Sequence, residues 1–183
     1  MKIQKYADIR DQLQTGDKLL CAGVNLVSRR IEAITDSPYS HIAGVWVTHG
    51  RVMEFEAISQ GATLRPLSLM AHEGYKYISV HRIGAAFTPQ FNGDKYVTAM
   101  LDLLGKEYGY STINKIWWKE RLKIPAVMVD DPGITSVICS QYQSLGDQAA
   151  GIDPSDKPAQ LTYPSDFMEG RCKYYGEVFR FKF

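Results

Sequence analysis

The chain has 183 residues, of which 45% are apolar and 22% charged, and its formal net charge is +1. This balance is typical of a globular protein and excludes a disordered or fibrous chain, and the length predicts one domain over residues 1–183. Lys and Arg are spread along the sequence and form no basic stripe, so we expect no nucleic-acid partner. No run approaches the roughly twenty apolar residues that span a bilayer, and the N-terminal segment lacks the apolar core of a signal peptide, which predicts a cytoplasmic protein.

The first part of the chain predicts a helix, a strand and a second helix. Ile9 and Leu13 are spaced four residues apart on a helix over residues 6–14. Residues 18–22 predict a strand. Apolar residues then recur at helical spacing over residues 24–34, and the breaker at residues 36–38 ends that helix.

Four β-rich runs follow and predict an antiparallel meander. They cover residues 40–48, 51–57, 62–66 and 75–83, and His49-Gly50 predicts the first turn.

The second half predicts two longer helices and a closing strand. One helix is expected over residues 94–104, with Gly105 as its C-cap, and another begins near Cys139. A turn at residues 164–166 and an alternating strand over residues 173–183 complete the chain. The elements together predict an α+β fold in which a largely antiparallel sheet packs against a few helices.

Cysteine chemistry is the first functional indication. The three cysteines, Cys21, Cys139 and Cys172, have no CxxC spacing, which argues against a zinc site or a disulfide framework, and we predict no metal and no cofactor. Cys139 stands where a β-branched stretch runs into a predicted helix. Unpaired N–H groups and the dipole at a helix start favour a thiolate there, although a free cysteine more often simply packs in a core.

A thiolate nucleophile needs a base, and His41 is the best placed of the four histidines. His49 falls on a predicted turn, whereas His72 and His81 stand in segments that look like surface. His41 begins a strand directly after a turn, so its ring can project from the end of the sheet into a cleft. A purely structural histidine is the competing interpretation.

Two acidic residues on the adjoining strand are candidates to orient that base. Glu54 and Glu56 alternate with Met53 and Phe55, so both carboxylates point to one face of the sheet. Either could accept the Nδ1–H of His41 from the neighbouring strand. Acidic side chains on one face are also typical of a solvated surface, and for Glu54 we favour that interpretation.

Trp117 and Trp118 lie among Lys115, Lys119, Arg121 and Lys123. Aromatic side chains between basic ones can bind nucleic-acid bases or a membrane surface. A solvated helix face is the simpler interpretation, and we favour it.

The segments TGDKLL, TDSPYSHIAGVW, VMEFEA, LLGKEYGY and ICSQY occur in this order, with Gly61 and RPLS after the third. The order resembles the circularly permuted branch of the NlpC-type papain-like superfamily, the YiiX/YebB-like group of cysteine peptidases and amidases. The resemblance runs from about residue 12 to residue 167, and SPYSH and the Cys139-Ser140 pair are its most specific parts. It implies a single permuted papain-like domain, with an antiparallel sheet or partial barrel packed against helices.

The resemblance also implies a role for each candidate residue. Cys139 is the nucleophile of a cysteine hydrolase, His41 its general base and Glu56 the residue that orients the base. Tyr108 matches a tyrosine that helps to bind the oxyanion. The family commonly has Cys-Ser-Glu-Leu where this chain has Gln141 and Tyr142, which puts substrate choice in doubt more than the nucleophile.

The expected substrate is a small amide, a peptide or a lipid ester, and the sequence carries no indication of oligomeric state. Two other functions stay open. In a lipid acyltransferase similar to lecithin retinol acyltransferase, the tryptophan and lysine segment would face a membrane. In a non-catalytic binding module on the same fold, Cys139 would be an ordinary thiol.

Overall fold

The structure, a computed structural model, describes residues 1–109, 136–155 and 157–183. The described residues form nine strands, in chain order β1 Ile3–Lys5, β2 Lys18–Ala22, β3 His41–Thr48, β4 Arg51–Ile58, β5 Gly61–Pro66, β6 Tyr77–Ile83, β7 Glu107–Tyr108, β8 Ser136–Val137 and β9 Tyr175–Lys182. The described α-helices are α1 Tyr6–Ile9, α2 Leu26–Thr35, α3 Gly93–Asp102 and α4 Cys139–Ala149. Short 3-10 helices occur at Arg10–Gln12, Leu67–Glu73, Thr88–Gln90, Ala159–Leu161 and Pro164–Phe167.

Seven strands form one sheet in the order β1-β9-β6-β2-β3-β4-β5. Every neighbouring pair is antiparallel except β1 and β9, which run parallel. Within the described ranges the sheet is open, with β1 and β5 at its edges. The predicted α+β fold, a mostly antiparallel sheet packed against helices, is confirmed.

Most predicted elements are confirmed, and the differences have local causes. The strand over residues 18–22 is β2 itself, and the four β-rich runs are β3, β4, β5 and β6. The predicted meander holds for β3, β4 and β5 and is wrong for β6, which pairs with β2 and β9 instead of β5. The first predicted helix is one turn of α-helix followed by a 3-10 turn. Strand β1 was not predicted, because three residues with only one partly buried side chain leave no readable alternation.

Both faces of the sheet are covered, which decides where the acidic residues of β4 lie. Leu19 and Val45 pack in the cluster that also holds Ile9 of α1, whereas Phe55 packs against α3 and α4. Successive side chains of a strand alternate between faces. Glu54 pairs with Val45 in the ladder and therefore faces the α1 side.

Gly44 lets α4 approach the middle of the sheet. A Cβ at this position would lie 1.9 Å from the Tyr96 hydroxyl and 2.3 Å from Oε1 of Gln143. Only a glycine leaves room for these two side chains against β3. This close approach brings the start of α4, and Cys139 with it, to the end of the sheet where β3 begins.

The segment with Trp117, Trp118, Lys115, Lys119, Arg121 and Lys123 lies outside the described residues. Its assignment as a solvated face or a membrane-binding patch stays a prediction. Among the helices of the described ranges, none has the length and apolar character needed to cross a bilayer.

Candidate active site

Cys139 is the first residue of α4, and its side chain is almost buried, with 7% of the residue exposed. The first helical hydrogen bond runs from the Tyr142 amide to the Ile138 carbonyl, so the amides before Tyr142 are not used by the helix. Burial raises the pKa of the Cys139 thiol. The charge and hydrogen bond of His41, together with backbone N–H groups of Ile42 and Ser140, outweigh burial and leave the pKa below its ordinary value.

His41 is the first residue of β3 and lies between the thiol and Glu56. Its Nε2 is 3.2 Å from Oε2 of Glu56, and the ring also hydrogen bonds with Cys139. Because Nε2 faces Glu56, Nδ1 is the nitrogen left for the thiol. Burial lowers the pKa of His41, but the two anionic partners raise it well above its usual value. The arrangement favours an imidazolium next to a thiolate.

The other two cysteines are internal controls for this effect. Cys21 is fully buried and Cys172 is 6% exposed. Burial raises the pKa of both thiols, and in Cys21 the nearby carboxylates raise it further. Cys172 thus exposes as little surface as Cys139, and its pKa moves in the opposite direction. The contact with His41 and the position at the helix start, rather than burial, therefore give Cys139 its lowered thiol pKa.

Glu54 and Glu56 are both fully buried, with 0% of each residue exposed. The expectation that Glu54 faces solvent is wrong, because β4 is an interior strand with packed layers on both sides. The expected Nδ1 contact is also wrong, since Nε2 is the nitrogen that meets Glu56. Burial and the neighbouring Glu56 raise the pKa of Glu54 to about 9.

Arg65 of β5 joins these two carboxyl groups. Its Nε donates to Oε1 of Glu54 at 2.9 Å and forms an ion pair with Oε1 of Glu56, and its Nη2 contacts Glu73. The Tyr75 hydroxyl donates to the other oxygen of Glu73 at 2.9 Å. One guanidinium thus contacts three carboxyl groups behind the histidine.

Tyr75 also lies against His41. The two rings are nearly parallel, 5° apart, with centroids separated by 6.3 Å, an offset stacking geometry. Neither Arg65 nor Tyr75 was a site candidate from the sequence. The available signal for Arg65 was the short turn between β4 and β5, which sets the register that places it opposite Glu54.

Tyr108, the predicted oxyanion residue, is half-buried in β7. This strand pairs in parallel with β8, where Tyr108 lies opposite Val137, and the Gly109 amide donates to the Val137 carbonyl at 3.0 Å. Val137 is two residues before Cys139. The structure therefore brings Cys139, His41 and Glu56 into contact one after another, and it places Tyr108 opposite Val137, two residues before Cys139. The catalytic roles of all four residues stay predictions.

The remaining histidines fall outside this site. His49 lies in the turn between β3 and β4, as predicted, and His72 is exposed. The expectation of a surface position is wrong for His81, which is 1% exposed on β6. Its Nε2 lies 3.1 Å from the Ser79 hydroxyl, and its Nδ1 accepts a hydrogen bond from the Glu169 amide at 3.3 Å.

A buried ion pair attaches α4 to the sheet. Lys18 of β2 and Asp147 of α4 have no exposed side-chain surface, and Nζ lies 2.7 Å from Oδ1 of the aspartate. Lys18 also donates to Gln143 at 3.2 Å, and the Tyr175 hydroxyl donates to Asp147 at 2.8 Å. These contacts fix the position of the helix that begins with Cys139.

No protein-family model matches the chain, and no curated protein matches it by sequence. Among solved structures, the chain is similar to a crystal structure of the metalloprotein YiiX from Escherichia coli O157:H7 (DUF1105), with a TM-score of 0.61 and 19% sequence identity. The match covers 91% of this chain and 89% of YiiX. At this identity the similarity establishes a shared fold, and the YiiX-like part of the resemblance is confirmed at that level.

Proposed function

We propose that the chain is a cysteine-dependent hydrolase of amide bonds, a peptidase or amidase, with Cys139 as nucleophile, His41 as base and Glu56 as the orienting residue. The permuted NlpC-type papain-like family stays part of this proposal. The single observation that carries it is the run of contacts from Cys139, the first residue of α4, through the His41 ring that hydrogen bonds with it, to Glu56, whose Oε2 lies 3.2 Å from Nε2. In this setting the pKa of the Cys139 thiol is lowered, whereas the pKa of Cys172, which is similarly unexposed, is raised. A low pKa despite burial is what a thiolate nucleophile requires.

The proposed reaction is acyl transfer through a thioester. His41 holds the proton of Cys139, and the thiolate sulfur attacks the substrate carbonyl carbon to form a C–S bond. The oxyanion is stabilised by Tyr108 and by the backbone N–H of Cys139. The C–N bond then breaks as His41 gives its proton to the leaving amine. A water molecule, deprotonated by His41, attacks the thioester and releases the acid and the thiol.

YiiX is described as a metalloprotein, but the site residues of this chain do not fit a metal centre. No group of three or more His, Cys, Asp and Glu side chains within the described ranges is arranged to hold a metal ion. The guanidinium of Arg65 already lies against Glu54 and Glu56, where a cation would have to bind. No step of the proposed reaction uses a metal.

The nucleophile can be tested without a known substrate by iodoacetamide labelling at pH 5 to 9 with mass-spectrometric assignment of each cysteine. An ordinary thiol with a pKa of about 8.5 is less than about 1% ionised at pH 6. We expect Cys139 to label at pH 6 at least about tenfold faster than Cys172, and His41→Ala to remove that advantage. Equal labelling of Cys139 and Cys172 would contradict the proposal and favour a binding module.

The acyl-enzyme can be tested with p-nitrophenyl acetate, a small activated ester. We expect a burst of nitrophenol, an acetyl group on Cys139 in the intact-mass spectrum, and slower turnover. Cys139→Ala should lose the adduct, whereas Cys172→Ala, the matched control, should keep it. A panel of peptide and small-amide substrates then separates peptidase from amidase, and hydrolysis of neither class would contradict the proposed amide specificity.

A further inference from the structure

The residues behind His41 form a closed set of contacts that the proposed reaction does not use directly. Glu56 meets His41 at Nε2, and Tyr75 lies against the face of the same ring. Two paths of contacts therefore connect His41 with Arg65. The first path passes through Glu56 alone. The second path passes through Tyr75 and then Glu73, whose two oxygens contact Arg65 and the Tyr75 hydroxyl.

We propose that Arg65 is a positioning residue that fixes the orientation of the His41 ring from two directions, an inference that rests on the proposed function. An imidazole on one rotatable side chain has two torsions to fix. The carboxylate of Glu56 fixes the direction in which Nε2 points, and the ring of Tyr75 limits rotation of the imidazole plane. A single guanidinium connects both restraints, because its planar fork presents donors in several directions at once.

The burial of the acidic groups shows why such a residue is needed. Glu54 and Glu56 are fully buried on one face of β4, and the Glu73 side chain is 25% exposed. Three carboxyl groups at close range repel one another when ionised, and burial strengthens that repulsion. Without Arg65, Glu56 loses the cation that holds its second oxygen and can turn away from Nε2.

A charge effect and a positioning effect have opposite signs, which makes the inference testable. Loss of a nearby positive charge, by itself, would favour the imidazolium form of His41 and would speed Cys139 labelling at pH 6. Loss of the orientation of the His41 ring would slow Cys139 labelling, because the imidazolium would no longer be held by the Glu56 carboxylate. We expect Cys139 to be labelled about tenfold more slowly in Arg65→Gln than in the wild type at pH 6. The rise of the labelling rate with pH should move to higher pH.

Arg82 supplies the matched control. Its side chain is 25% exposed, against 21% for Arg65, and its Nε donates to Asp17 at 2.8 Å. Asp17 stands at the opposite end of β2 from Cys21, the residue that pairs with His41. Arg82→Gln should therefore leave the Cys139 labelling rate within about twofold of wild type.

Arg65→Lys separates charge from shape. Lysine keeps the positive charge but not the planar fork, so we expect labelling to stay at least about threefold slow. The positioning role would be overturned if Arg65→Lys restored the wild-type labelling rate of Cys139. It would also be overturned if Cys139 were labelled in Arg65→Gln as fast as in the wild type or faster. If Arg65→Gln does not fold, as judged by circular dichroism, Tyr75→Phe decides the second path, since it removes only the hydroxyl contact with Glu73.

Tyr75→Phe should slow labelling by about threefold, and an unchanged rate would overturn the second path. The wild-type result separates the two proposals. Slow labelling of Cys139 in the wild type means that the proposed function has failed. Fast labelling in the wild type with no effect of Arg65→Gln means that only the role of Arg65 has failed.

Discussion

Oε2 of Glu56 lies 3.2 Å from Nε2 of His41, so the carboxylate meets the nitrogen on the far side of the ring from the thiol. A histidine held this way keeps Nδ1 for Cys139 and cannot exchange its two nitrogens without breaking the contact. Glu54, two residues earlier on the same face, accepts a hydrogen bond from Arg65, and no direct hydrogen bond to His41 is found for it among the described residues. The two acidic residues of β4 therefore differ in their contact with His41, and this difference gives separate predictions.

Glu56→Gln should weaken the nucleophile, whereas Glu54→Gln should not. A glutamine at position 56 removes the anion that raises the pKa of His41, so less thiolate is present at low pH. We expect at least about a tenfold slower iodoacetamide reaction of Cys139 at pH 6 in Glu56→Gln. Glu54→Gln is the isosteric control on the same strand, and an equal loss in both variants would contradict the assignment of Glu56.

Glu54 should make the protein less stable as pH rises. Its pKa is raised from 4.5 to about 9 by burial and by Glu56, so the folded state binds a proton that the unfolded state releases. Stability therefore falls between about pH 4.5 and pH 9, at up to about 1.4 kcal/mol per pH unit.

An amide at this position does not ionise, so Glu54→Gln should flatten that part of the profile. Urea unfolding at pH 5, 7 and 8.5 measures the difference. The variant should match the wild type most closely at pH 5 and exceed it at pH 8.5. Parallel profiles for the two proteins would show that Glu54 is not the group responsible.

His81 should make the protein sensitive to acid. Burial lowers its pKa to about 4, and the bond from the Glu169 amide to Nδ1 requires the neutral ring. The unfolded chain takes up this proton below about pH 6.5, so stability falls from there to pH 4, at up to about 1.4 kcal/mol per pH unit.

His81→Gln should reduce this slope, although it also costs stability at neutral pH through the lost hydrogen bonds. The acid branch is measured by urea unfolding at pH 7, 5.5 and 4.5, with the exposed His72→Gln as control. An NMR titration that places His81 near pH 6.5 in the folded protein would contradict the prediction directly.

The Lys18–Asp147 pair should be costly to break from one side. Both side chains are fully buried, so Lys18→Met leaves a carboxylate without its cation and should destabilise the fold by about 3–5 kcal/mol. The double variant Lys18→Met/Asp147→Leu removes both charges and should be more stable than Lys18→Met alone. Urea unfolding of the two single variants and the double variant tests this, and additive losses would count against a coupled pair.

The sequence allowed the prediction of those parts of the site whose chemistry is local. Cys139 was a candidate because a β-branched run leads into a helix start, and His41 because it follows a turn at the start of a strand. The roles assigned to them came from the resemblance in the order of the segments. Arg65 was not, because its role depends on the register of β4 against β5, which places it opposite Glu54. The burial of Glu54 was missed for a related reason: alternation alone does not reveal that both faces of a strand are covered.

The docking of α4 on the sheet determines the stage of folding at which Cys139 meets His41. Lys18 and Gln143, which hold this helix to β2, are 125 residues apart in the chain. Closing a loop of this length costs chain entropy, which other native contacts have to offset before this one is stable. Until then Cys139 has no imidazole beside it and remains an ordinary thiol. The thiolate of the proposed nucleophile therefore depends on the docking of α4, and its appearance is tied to the completed topology of the sheet.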